Sequence, residues 1–350
     1  MKKLFLLLLL GFTLLGFSQN TLIPDPNFEQ ALIDLGYDTA PINGSVPTAN
    51  ISGVTSLDVS NNNIADLTGI EDFIALIDLS CDSNQLTSLD VSNNTALITL
   101  YCYSNQLTSL DVSNNAALIY LICFNNQLTS LDVSNNTALT FLSCNENQLT
   151  SLDVSNNTAL TELYCAFNQL TSLDVSANPA LTALTCYTNQ LTSLDVSSNN
   201  ALTELYCFNN QLTSLDVRNG NNISIGVFNA TNNPNLTCIF VDDTAYSTAN
   251  WTGIDPASTF VNNEAECEAL SLGDNAFELD VSIYPNPTDN YLFIEGNKNP
   301  ISISIYNLLG AEVIAKSNTD KIDVSELSNG VYIIKISDGI GQTDRKFIKN

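Results

Sequence analysis

Seven cysteines, Cys81, Cys102, Cys123, Cys144, Cys165, Cys186 and Cys207, each follow the last by 21 residues. A period of that size means a solenoid, because one short unit cannot bury its own apolar face and must stack on its neighbours. One unit, residues 97–117, reads LITLYCYSNQLTSLDVSNNAA and divides into halves of 10 and 11 residues. Each half has the form Leu-x-x-Leu-x-apolar-x-x-Asn. The alternation points Leu97, Leu100 and Cys102 inward in the first half and Leu107, Leu110 and Val112 inward in the second, with Asn105 and Asn115 closing them. Short parallel strands are therefore expected in both halves. Coils stacked at ~4.8 Å set each inward residue on its own copy above and below, so leucine, cysteine, valine and asparagine form ladders.

This pattern resembles the leucine-rich-repeat family, in which Leu-x-x-Leu-x-Leu-x-x-Asn-x-Leu marks the concave strand and the asparagine bonds the turn backbone. The resemblance runs from about Val54 to Asn233, and a longer first unit, VTSLDVSNNNIADLTGIEDF, looks like internalin-type bacterial repeats. It implies a β-rich solenoid of stacked parallel strands. The nested halves are shorter than the family's usual unit, which suggests a second line of strands in place of convex helices. In the last unit, Phe228 is expected at the cysteine position. A solenoid needs capped ends to cover its apolar edges and unpaired strand groups. At the front, Pro24-Asp25-Pro26-Asn27 precedes a helical pattern of Phe28, Leu32 and Leu35 that Gly36 stops. Behind the repeats, Trp251 is available to cover the last coil.

Residues 1–18 carry Lys2 and Lys3, an apolar run from Leu4 to Leu10 and small residues before Gln19, the pattern of a cleaved signal peptide. No later segment is apolar enough to span a bilayer. After about Gly273 the 21-residue period ends, lysines return, and alternating segments predict a small antiparallel β-sandwich. IYPNPTDNYLFIEG, IYNLLGAEV and the ending IDVSELSNGVYIIKISDGIGQTDRKFIKN resemble the C-terminal sorting domain of the type IX secretion system. That resemblance implies the secretion machinery as a partner, passage across the outer membrane, removal of the domain, and a secreted or surface-attached product. The expected order is a signal peptide (1–18), an N-terminal cap (19–53), leucine-rich repeats (54–237), a C-terminal cap (238–276) and the sorting domain (277–350). The ladder cysteines are read as buried apolar residues, since no Cys-x-x-Cys pair suggests metal binding. Cys238 and Cys267 lie off the ladder in an exported chain and are expected to form a disulfide.

The net charge of −27 comes from 37 acidic against 10 basic residues, and between Leu4 and Asn297 the single basic residue is Arg218. A chain so poor in clustered lysine and arginine does not suit nucleic acid or an anionic membrane surface. The absence of histidine removes the usual general base and its nucleophile pairs, so no enzyme is expected. Comparing coils within the chain locates the variable side. TSLDVS recurs almost unchanged at 55, 87, 108, 129, 150, 171 and 192, whereas outward positions of the first half change from coil to coil. Those positions gather aromatics, and Tyr101, Tyr103, Tyr120, Phe124, Phe141, Tyr164, Tyr187, Tyr206 and Phe208 form the candidate surface for a protein or glycan ligand. The alternative is simple cross-strand packing of rings. Asp90, Asp111, Asp132, Asp153, Asp174, Asp195 and Asp216 should form a carboxylate column with neighbours ~5 Å apart, repelling by about 0.8 kcal/mol per neighbour in water. Serine and threonine hydroxyls donating to the carboxylates would relieve that repulsion. Weakly bound calcium is the rival, and it would suit a cation-bridged surface coat instead of a recognition module.

Overall fold

In a computed structural model of the chain, residues 19–273, 281–296, 302–337 and 342–350 are described. The signal-peptide reading of residues 1–18 lies outside them. The chain divides into two compact units, with the division between Asn263 and Glu264. The helix Glu264–Gly273 therefore falls on the tail side of it.

The solenoid begins with a cap fastened by acids. Asp25 caps the helix Pro26–Asp34, its carboxylate accepting from the N–H groups of Asn27 and Phe28. The same carboxylate also accepts from Ala65 and Asp66 at 2.7 and 3.0 Å, which ties the cap to the first coil. Glu29, fully buried, accepts from the N–H groups of Asn43 and Gly44. These backbone donors compensate a carboxylate that burial alone would penalise. Phe28 stacks on Phe73 at 6.4 Å. Leu35, counted above in the apolar stripe, instead follows the helix and is exposed, and Gly36 turns the chain at φ +82°. Gly69, at φ +105°, passes so close to the cap that a Cβ would lie 2.3 Å from Ile23.

Behind the cap, nine three-residue strands form one parallel sheet in chain order, from Ser56–Asp58 to Val227–Asn229. The register is exact: Leu79, Leu100, Leu121, Leu142, Leu163, Leu184 and Leu205 are successive partners, all fully buried. The ladder cysteines sit two residues further on, equally buried and all free thiols. The last coil corrects the reading of Phe228. Phe228 pairs with Leu205 and takes the leucine position, so Ala230 takes the cysteine position. The 3-10 turn Asn222–Ser224 lengthens that unit, shifting the count by two residues.

Asparagines hold each turn to the coil before it. Asn126 accepts from the Leu107 N–H at 2.9 Å and donates to the Cys102 and Cys123 carbonyls at 3.0 and 3.1 Å. Asn105, Asn147, Asn168, Asn189 and Asn210 repeat this arrangement. A second column closes the other half-units, with Asn115 donating to Val91 and Asn94 carbonyls at 3.0 and 2.9 Å. The expected second line of strands is only partly formed. Regular pairing there starts at Ser193–Asp195 and Ser214–Asp216 and continues into Cys238–Phe240 and Thr259–Val261. Earlier coils carry a single bridge, Asp90 to Asp111. At the far end Trp251 is buried on Phe228, with centroids 4.4 Å apart, and Phe260 meets its edge. Its indole N–H donates to the Ile225 carbonyl.

The second unit holds two antiparallel sheets. One contains Val281–Tyr284, Tyr291–Gly296 and Lys321–Asp323; the other contains Ser302–Asn307, Glu312–Ser317, Gly330–Ser337 and Gln342–Lys349. Leu292, Ile305, Ile322, Val324, Ile334 and Phe347 belong to its own core, separate from the solenoid's.

If the asparagine column fixes the coil register, Asn126→Ala leaves the buried Leu107 N–H without a partner, while the Cys102 and Cys123 carbonyls keep Asn105 and Asn147 as donors. At about 1–3 kcal/mol for an unpaired buried group, the loss should be ~2 kcal/mol in urea unfolding. Gln127→Ala, beside it but exposed, should stay within ~0.5 kcal/mol. Equal effects would contradict this role.

Candidate ligand-binding face

The outward side of the nine-stranded sheet is set by the strand pleat. In each coil the residues before and after the buried leucine point out, and so does the residue after the cysteine. This brings Tyr101, Tyr103, Tyr120, Phe124, Phe141, Tyr164, Tyr187, Tyr206 and Phe208 to one face. Most are half-buried against one another; Tyr120 is 43% exposed. Tyr103 and Phe124 stack at 4.5 Å, and Tyr187 and Phe208 at 4.3 Å, both pairs within 9° of parallel. Phe141 bridges Tyr120 at 6.2 Å and Tyr164 at 5.4 Å. The rings thus do pack along the sheet, and the same packing holds them rigid at its surface.

Phe167 belongs with them and was not among the sequence candidates. It occupies the turn column of Ser83, Ser104, Asn125, Glu146, Thr188 and Asn209, all at positive φ. A phenylalanine is unusual at φ +52°, where small or amide side chains are more at ease. Its ring is 45% exposed and meets the edge of Tyr187 at 5.1 Å. Reading one more outward column of the sequence would have found it.

The charges on this face are all acidic: Asp58, Asp78, Asp82, Glu146, Glu162 and Glu204. Tyr164 donates its hydroxyl proton to Glu162 at 2.7 Å. Burial, then this bond and the Glu162 charge, pushes its phenol well above the ordinary range. A hydrogen bond to Asp82, with burial, likewise raises Tyr103. Arg218 pairs with Asp216 at 2.6 Å, on the second line of strands.

The aspartate column has a defined local task. Asp90, Asp111, Asp132, Asp153, Asp174 and Asp195 each accept from the N–H of the serine two residues on, at 2.8–2.9 Å. Asp216 holds Arg218 in the same way. The serine hydroxyl, then this N–H, lowers Asp90, Asp111, Asp132, Asp153 and Asp174 below the usual carboxylate value. Among the described residues, no group of three or more His, Cys, Asp or Glu is placed to hold a metal ion. The ladder thiols are far from reactive: burial pushes Cys144 and Cys207 up to about 12. Cys238 and Cys267 are in disulfide form.

Comparison with known proteins agrees with both units. Residues 282–350 match the family described as the secretion system C-terminal sorting domain. Internalin J of Listeria monocytogenes serotype 4b is 43% identical over 78 residues, 22% of this chain; the match spans only 8% of that protein's length. The internalin C2 structure from Listeria monocytogenes superposes with a TM-score of 0.53 at 25% identity, covering 61% of this chain and 97% of the other. A second internalin from that organism, inlF, gives a TM-score of 0.51 at 21% identity, covering 69% of this chain and 76% of the other. The coils are leucine-rich repeats, and the tail is a sorting domain. The sorting domain directs a secreted or cell-surface protein through the type IX system. Among the described residues no helix is long and apolar enough to cross a membrane.

The aspartates give the repeats a pH signature. A carboxylate lowered on folding stabilises the folded state above its unfolded pKa and loses that contribution as pH falls through the folded value. Thermal stability of the repeats should therefore drop as pH falls below about 4. Replacing Asp111, Asp132 and Asp153 together by asparagine should flatten that drop. An unchanged acid profile would show that the column does not contribute.

Proposed function

We propose that this leucine-rich-repeat protein is a recognition or adhesion module that binds a protein or glycan through the aromatic face of its sheet. It is not an enzyme. The observation that carries this reading is the asymmetry between the two sides of each coil. The TSLDVS half is nearly constant, and its aspartates are engaged in the turns. The opposite face varies and collects rings that are preorganised by mutual stacking. Tyrosine suits such a surface because it gives a large contact area at little entropic cost and keeps a polar tip. The lack of histidine and the similarity to internalins support a binding role over catalysis. The aspartate column, in a cation-bridged coat, is the competing surface.

Two outcomes test this. Replacing Tyr101, Tyr164 and Tyr206 together by serine should leave the solenoid folded, since Ser80 and Ser143 already occupy that column. Binding to the ligand found in a glycan and surface-protein screen should fall sharply, because anchoring aromatics contribute ~2 kcal/mol or more each. Asp111, Asp132 and Asp153 changed to asparagine should alter the calcium response more than affinity. If the tyrosine variant binds as before while the asparagine variant loses adhesion, the coat reading replaces this one. Separately, removing residues 277–350 should block passage across the outer membrane while the repeats still fold around their own core. Efficient surface delivery of the shortened chain would contradict the assigned role of the tail.

A further inference from the structure

Along the sheet, the column Phe141, Glu162, Ala183, Glu204 and Val227 runs in strict register, and beside it runs Ser143, Tyr164, Thr185, Tyr206 and Asn229. In these two columns the coil in the middle contributes only small side chains, its Tyr187 lying in the next column, stacked on Phe208. Ala183 and Thr185 are 7% and 8% exposed and form a floor. The coils on either side rise above it with one glutamate and one tyrosine each. Strand spacing sets the two walls ~9.6 Å apart, twice the separation of neighbouring strands. The two glutamates thus stand two strand spacings apart, so that a group seated over Ala183 lies between them. The tyrosines flank the gap likewise, and a planar group between two ring faces needs ~7 Å, two contact distances. The hydroxyl of Tyr164 fixes Glu162 at one wall with its 2.7 Å bond. The charge of Glu204, across the floor, also contributes to raising the Tyr164 phenol.

No basic residue stands on this face. The single one between Leu4 and Asn297, Arg218, is paired with Asp216 on the other line of strands. The slot thus presents two negative charges and two rings, with no basic residue of the repeats facing them.

We infer that the slot between Glu162–Tyr164 and Glu204–Tyr206, floored by Ala183 and Thr185, receives an arginine side chain from a basic segment of a partner protein. Arginine fits better than lysine because its planar guanidinium presents donors on several edges to carboxylates while its faces stack on aromatic rings. A neutral glycan would donate hydroxyls to the carboxylates but bring no positive charge to offset them. This assignment rests on the recognition reading above and narrows it to one partner chemistry at one place on the face.

Hexaarginine is the probe, titrated into the full-length chain at ~150 mM salt, where long-range attraction to a net-acidic protein is screened beyond ~8 Å. Glu162→Gln with Glu204→Gln should weaken binding at least tenfold. Asp111→Asn with Asp153→Asn removes the same charge from the aspartate column and should change it less than twofold. A second measurement needs no ligand. Ala183→Arg places a guanidinium between the two walls and should raise the melting temperature by about 3 °C over Ala183→Met, which adds bulk without charge. The assignment is overturned if both double variants weaken hexaarginine equally, or if Ala183→Arg melts no higher than Ala183→Met. It is also overturned if chitohexaose binds the face with no dependence on the glutamate pair. The last result would leave the aromatic face as a recognition surface. Loss of that wider reading would instead show as unchanged ligand binding by the triple tyrosine variant.

Discussion

The in-register stacking of coils is the constraint on which everything else depends. Parallel pairing fixes neighbouring strands, and the buried asparagines tie each turn to the coil before it. Because the side-chain period along a strand is two, a slip of one residue would turn the leucines to solvent and the rings into the core. Once the register holds, every position becomes a column, and each column can be spent on one purpose. Leucine, cysteine and valine columns make the core, asparagine columns fasten the turns, and aspartate columns shape the bends opposite the sheet. What is left free is the outward side of the sheet.

That division explains how one fold accommodates both monotony and variety. The constant half-unit solves packing once and repeats the solution. The outward columns bear no such duty, so a phenylalanine is tolerated in a turn at positive φ, and an alanine can sit between two glutamates. The acidic balance has the same origin. With almost no basic residue to pair with, carboxylates on the aspartate side are relieved by serine hydroxyls and N–H groups, whereas Glu162 is held by a tyrosine. The former are spent on local structure, and the latter stands beside a gap in the sheet.

Much of this was legible in the sequence because stacking makes periodicity and position equivalent. The inward leucines and cysteines, the asparagine closures and the capping helix follow from spacing, and the Trp251 cover from the need of a solenoid for a closed end. The failures occur where spacing breaks. Phe228 was misplaced because the turn Asn222–Ser224 adds length that a 21-residue count cannot see. The second line of strands was overstated because alternation reports which side chains turn inward, not whether backbones of adjacent coils come close enough to pair. Phe167 escapes the pattern because the other coils place serine, asparagine, glutamate or threonine in its column, and the slot does because it is defined by small residues, which carry no signal until their neighbours across the sheet are known.

The central claim is that recognition lies on the variable face of the sheet and not on the aspartate side. Hydroxyl-radical footprinting reads this directly, since tyrosine and phenylalanine report their own solvent contact. With the ligand bound, Tyr101, Tyr164, Phe167 and Tyr206 should lose reactivity, while Leu89, Leu110 and Leu131, beside the aspartates, stay as they were. Protection of those leucines with the rings unchanged would contradict the account.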